Sequence, residues 1–233
     1  MTAVPVRNQS AVLPRSALAG FLPFVLLSAI HVGARALGAD EPAAWTKLTL
    51  MPLLAVAAWW GLRGTGTSRL SAGRLLKTLL FAALFFFWLG DGAGAFFPFA
   101  PELPVMLGAF GVAHICYIRL MSRYAAERAF PRWALVFPLW WVLMLVLLWP
   151  VLGGLAAAVA AYGIVLAGTA ATAARCGTMV ASGGVLFLAS DTLLSFRIFM
   201  PEAMPGWTSA MVMLTYCAGQ GLIVAGLLRR RGA

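Results

Sequence analysis

Two acidic residues stand inside apolar runs: Asp91 in Leu89-Gly90-Asp91-Gly92 and Asp191 in Ala189-Ser190-Asp191-Thr192. Burying an ionisable side chain in such a run is expensive, so each marks a candidate functional site. A few other polar groups share apolar surroundings: Lys47, His31 and His114, with Tyr117, Tyr162, Ser190, Thr192, Tyr216 and Gln220 as neutral candidates. Two carboxyls in one low-dielectric cavity do not both ionise, because like charges held side by side repel. One keeps a proton while the other stays a carboxylate, which is the division of labour that acid–base catalysis requires. Such a pair suits protonation of a substrate with electrostatic support for the cation that forms, as in glycoside hydrolysis through an oxocarbenium-like state.

Every one of these residues also has a reading without chemistry. The aspartates would join a structural network with Lys47, or Lys47 would snorkel to an interface. The histidines, tyrosines and Gln220 would tie helix to helix by hydrogen bonds. Cys116, Cys176 and Cys217 show no pairing or metal-ligand spacing and read as small hydrophobes. No phosphate-binding glycine loop precedes Lys-Ser/Thr, no metal pair recurs at helical spacing, and no nucleophile elbow is present. Gly92-Ala93-Gly94 reads as helix interior, not as a dinucleotide-binding turn.

The elements that must position these groups follow from composition. Of 233 residues, 62% are hydrophobic and 10% charged, with a mean hydropathy of +0.92. A water-soluble domain of this size has no means of covering so much apolar surface. Disordered, collagen-like and disulfide-stapled chains are excluded too, and the reading is an all-α polytopic membrane protein in a single transmembrane domain. Eight apolar runs have the length of a bilayer crossing: 16–35, 45–62, 74–97, 105–121, 132–151, 154–174, 178–199 and 207–228. They do not alternate polar and apolar residues, which argues against a β-barrel. The first run resembles a signal peptide but is expected to be retained.

The net charge of +10 is explained by topology and not by nucleic acid. With the N-terminus inside, all of the 17 basic residues except Arg35, Lys47 and Arg197 fall at cytoplasmic ends, and both termini are cytoplasmic. Both aspartates then lie in the outer half of outward-going helices, and His114, Tyr216 and Gln220 near mid-depth. Each Asp-bearing helix precedes one with a central tyrosine, Tyr117 or Tyr216. That similarity predicts a parallel internal repeat relating helices three and four to helices seven and eight.

The ordered series on successive helices resembles the YhhN-type lysoplasmalogenases, a family of eight-helix membrane hydrolases. The features that carry the resemblance are Thr46-Lys47 with Met51-Pro52-Leu53-Leu54; Gly90-Asp91; Phe110, His114 and Tyr117; Gly184, Phe187 and Ser190-Asp191-Thr192; and Tyr216 with Gln220. Leu48 departs from the pattern, where the family has Pro after Lys. The resemblance implies hydrolysis of the vinyl ether bond of lysoplasmalogen, giving a fatty aldehyde and glycerophosphoethanolamine or glycerophosphocholine, with no metal or organic cofactor. Asp91 and Asp191 are then the acid and base. His114, Tyr117, Tyr162, Ser190, Tyr216 and Gln220 would orient water or hold an aspartate, and Lys47 would bind the lipid phosphate. The expected partners are a lysophospholipid substrate and membrane lipids, with no nucleic acid, in a bacterial inner membrane. A proton-coupled transporter would use the same residue types. A lipid-binding scaffold is a third reading, but it has no use for the acidic pair.

Overall fold

The computed structural model describes residues 19–63 and 70–229, and all regular structure among them is helical. Eight helices of 15 to 24 residues follow one another among the described residues. They are α1 Leu22–Ala36, α2 Asp40–Arg63, α3 Leu70–Asp91, α4 Glu102–Tyr124, α5 Val136–Leu152, α6 Ala156–Ala173, α7 Thr178–Phe199 and α8 Thr208–Arg229. The expected start of the first helix, the connection 64–67, and Arg7, Arg15, Arg69, Arg230 and Arg231 of the orientation argument lie outside the described residues.

Among the described residues, five segments are long and apolar enough to cross a membrane: Gly73–Asp91, Glu102–Tyr124, Arg132–Ala173, Thr178–Phe199 and Thr208–Arg229. The third has 42 residues and comprises α5 and α6, separated where Gly153 takes a φ of 51°. The outer surface is apolar: Leu26, Ile30, Leu139, Val146 and Ile164 are each more than half exposed. A bilayer accommodates such side chains, and helices satisfy every backbone N–H and C=O internally, as hydrocarbon demands. The chain is an integral membrane protein.

α3 packs on α4, α7 on α8, α4 on α6, and α1 on α2 and α8. Phe87 of α3 sits at the centre, with the rings of Phe110, His114, Tyr117 and Phe187 at centroid distances of 5.2 to 5.5 Å. The seam between α7 and α8 is set by glycine. A Cβ on Gly183 would lie 2.8 Å from the Gly219 carbonyl oxygen, and one on Gly219 would lie 2.9 Å from the Phe187 amide nitrogen. Small residues allow this backbone-to-backbone approach, which is how helices gain contact when lipid supplies no hydrophobic drive.

The sequence predicts a third helix running to residue 97, but α3 stops at Asp91. Gly92 follows, then a single turn, Ala93–Phe96, and the chain doubles back to Glu102 at the start of α4. Gly92 and Gly94 are poor helix formers, and both are needed as glycine here. A Cβ on Gly92 would overlap the Phe96 ring, and one on Gly94 would lie 2.9 Å from the Glu102 carboxyl carbon. Gly92-Ala93-Gly94 is therefore a helix end, not a helix interior, and Asp91 is the last residue of its helix.

Candidate active site

A cavity of about 340 Å³ gathers Lys47 of α2, Asp91 of α3, Glu102 of α4, Ser190 and Asp191 of α7, and Tyr216 of α8. Its remaining walls are apolar, with Met106, Phe110, Leu194 and Met213 among them. Both aspartates are buried. Gly90 gives Phe110 its place: a Cβ there would overlap the ring.

The two carboxyls have different surroundings. Asp91 accepts a hydrogen bond from the Tyr216 hydroxyl at 2.7 Å on Oδ2. Its Oδ1 lies 3.7 Å from the Lys47 ammonium, which is one-third exposed where the carboxylate is 3% exposed. Asp191 accepts a hydrogen bond from the Tyr162 hydroxyl of α6. No cation forms an ion pair with Asp191 among the described residues. Behind Tyr162, His114 Nε2 lies 3.3 Å from the tyrosine oxygen and Nδ1 3.0 Å from Thr169 Oγ1. A chain of side chains thus runs from Asp191 through the partly buried Tyr162 to His114 and Thr169, which are fully buried. Asp191 is also reached from a second, apolar crevice beside Tyr162, Trp140 and Trp141.

Lys47, Ser190 and Tyr216 join the aspartates in the cavity, whereas His114 and Tyr162 stand behind Asp191. Ser190 donates to the Val212 carbonyl oxygen at 2.9 Å, joining α7 to α8. Tyr117 donates to Gln220 Oε1 at 2.7 Å; both are fully buried and neither lines the cavity. Gln220 Nε2 has no partner among the described residues. Thr192 accepts from the Trp140 indole N–H at 3.1 Å.

A symmetric repeat would give each aspartate the tyrosine of the matching hairpin. The observed pairing differs: Asp91 takes Tyr216 from α8, Asp191 takes Tyr162 from α6, and Tyr117 takes Gln220. Asp91 also ends its helix, while α7 continues from Asp191 to Phe199.

Two residues escaped the sequence reading. Glu102 looks like an outer-loop acid, yet the glycine turn folds it over the cavity; the pair Gly92 and Gly94 was the available signal. Thr169 gave none, since a threonine in an apolar helix ordinarily bonds its own backbone, as Thr169 does to the Val165 carbonyl oxygen. Among the described residues, no cluster of three or more His, Cys, Asp or Glu has the arrangement of a metal site.

The geometry offers an ion-paired carboxylate and a carboxyl without a cation, both opening onto one space with apolar walls. That arrangement can give a proton to one part of a bound molecule and take one from water at another. No curated protein and no solved structure matches this chain. The profile of the YhhN family matches residues 43–227, a stretch that carries both aspartates and every side chain that holds them, and the chain belongs to that family.

Proposed function

We propose that this protein hydrolyses the vinyl ether bond of lysoplasmalogen, with Asp191 as proton donor and Asp91 as general base. The observation that carries the reading is the pair itself. Two carboxyls from helices far apart in sequence line one cavity, and among the described residues only Asp91 has a cation beside it. A nearby cation favours the carboxylate, which is the form a base needs. Membership of the YhhN family supports the same reaction.

The steps balance as follows. Asp191 gives its proton to the alkene carbon remote from oxygen, and the positive charge moves to the carbon bearing the ether oxygen. The Asp91 carboxylate faces that oxocarbenium ion and lowers its energy electrostatically. Water adds to the cationic carbon as Asp91 takes a proton from it. The hemiacetal then collapses: Asp191 accepts the hydroxyl proton, and the proton held by Asp91 goes to the departing glycerol oxygen. The products are a fatty aldehyde and a glycerophospho-alcohol, and both aspartates return to their starting states. Tyr216 and Tyr162 hold the two carboxyls, and the apolar wall takes the chain.

In the membrane, the eight helices are read as eight spans with both termini cytoplasmic, supported by the distribution of Lys and Arg. The membrane is read as a bacterial inner membrane. The α3–α4 and α7–α8 hairpins are read as related units whose tyrosine contacts have diverged.

The test is release of free aldehyde from a 1-alkenyl lysophospholipid by protein purified in detergent. Asp91→Asn and Asp191→Asn are each expected to lower turnover by about 100-fold or more, the usual worth of a general acid–base step. Wild-type turnover in both variants would refute the mechanism.

A further inference from the structure

A second cavity, of about 230 Å³, adjoins the first. Lys47, Leu194, Val212 and Met213 line both, so a short wall separates them. The other polar groups of the second cavity are His31, Arg35, Asp40, Arg197 and Ser209. Its charge is unbalanced. Arg35 is paired with Asp40 at 3.1 Å and Lys47 with Asp91 at 3.7 Å, but Arg197 meets only the Thr208 hydroxyl and the Pro205 carbonyl. Arg197 therefore presents a positive charge with no carboxylate partner among the described residues.

Free hydrogen-bonding groups point to the same conclusion. Ser209 accepts from Arg35 Nε at 2.8 Å, and its own proton has no acceptor among the described residues. His31 is 1% exposed, and its Nε2 has no partner there either. The Thr46 hydroxyl donates to the Pro42 carbonyl at 2.7 Å, so His31 Nδ1–H donates to Thr46 at 2.8 Å. In the neutral ring, Nε2 is then left as an acceptor. A buried polar atom without a partner calls for one.

We infer that this second cavity binds the phosphate ester of a single-chain lipid: Arg197, Arg35 and Ser209 hold the phosphate, and His31 Nε2 accepts from an O–H or N–H of the same head group. Guanidinium groups suit this task because their planar fork of donors matches a phosphate edge. The lipid chain then enters the first cavity past Lys47, with its polar end outside the apolar chamber. The identity of the lipid as an ether-linked lysophospholipid rests on the proposed hydrolysis; the anion site does not.

Binding, not turnover, tests the site. The full protein in detergent is titrated with a saturated 1-alkyl lysophosphatidylethanolamine, which has no alkene to protonate, with 1-alkylglycerol, and with inorganic phosphate. The phosphate-bearing lipid is expected to bind at least about tenfold tighter than the alkylglycerol, the worth of one charge-assisted contact. Arg197→Gln is expected to erase most of that difference, Arg197→Lys to keep much of it, and both to leave alkylglycerol binding unchanged, which also reports an intact fold. Arg35→Gln repeats the test from another helix. The inference is overturned if both glutamine variants keep the full difference. It is overturned equally if inorganic phosphate binds as tightly as the lysolipid, which would mark a free-anion site. Should aldehyde release fail while the Arg197-dependent difference persists, the hydrolase reading falls and the phosphate site stands.

Discussion

Tyr216 of α8 donates its hydroxyl to the carboxylate of Asp91, at the far end of α3, at 2.7 Å. The two residues are brought together by the whole bundle and not by any local turn. The Tyr216 ring stays anchored by Phe187, at a centroid distance of 5.4 Å. Tyr216→Phe removes the hydrogen bond and keeps that packing. A hydrogen bond to a charged group is worth about 1.5–3 kcal/mol, so turnover is expected to fall roughly 10- to 100-fold. The check is kcat for aldehyde release well below the melting temperature, alongside a melting curve that is expected to fall by several degrees.

Opposite protonation requirements give a bell-shaped rate profile. As pH falls, Asp91 takes up a proton and ceases to be a base; as pH rises, Asp191 loses the proton it must donate. Rates of kcat/KM across pH are expected to drop at both ends. Lys47→Met removes the cation that favours the Asp91 carboxylate, so protons compete more successfully for it. The deficit of that variant is expected to grow as pH is lowered, with Lys47→Arg closer to wild type. A uniform deficit across pH would mean that Lys47 acts elsewhere.

His114 touches neither cavity and acts on Asp191 through Tyr162. It is a positioning residue, and its effect should vanish when the intermediary is cut. His114→Leu is expected to slow turnover several-fold in the wild-type background but to add little in Tyr162→Phe, a non-additive pair in a double-mutant cycle. Equal effects in both backgrounds would reduce His114 to packing against Phe87 and Phe187.

Glycine at the α7–α8 seam is a matter of space. Gly219→Ala forces a methyl against the backbone of Phe187, and overpacking of this kind costs about 1–3 kcal/mol. The melting temperature in detergent is expected to fall. Gly108→Ala, on α4 where nothing lies within 4 Å of the added carbon, is expected to be neutral or slightly stabilising by the helix preference for alanine.

Much of the candidate site was legible because burying charge in hydrocarbon is costly. That single rule isolated Asp91, Asp191, Lys47 and both histidines from a chain with few charged residues. Tyrosine partners were not legible in the same way: Tyr117 and Tyr216 occupy similar places in sequence, yet one meets Gln220 and the other Asp91. Hydropathy describes depth along one helix and says nothing of which neighbour a side chain faces. The end of α3 was missed for a related reason, since Gly92 and Ala93 are apolar enough to prolong a hydrophobic run but do not prolong the helix. In the sequence Arg35 and Arg197 are two minority charges on the outer side, and it is the packing of α1 against α8 that brings them to one cavity.

The glycine seam has a consequence for how a lipid gets in. The helix that carries Asp191 and the helix that carries the clasp of Asp91 touch main chain to main chain at Gly183 and Gly219, which resists sliding of one along the other. They move, if at all, as a single plank. A doorway wide enough for an alkyl tail then lies away from that seam, where α2 and α4 border the chamber through side chains that can swing.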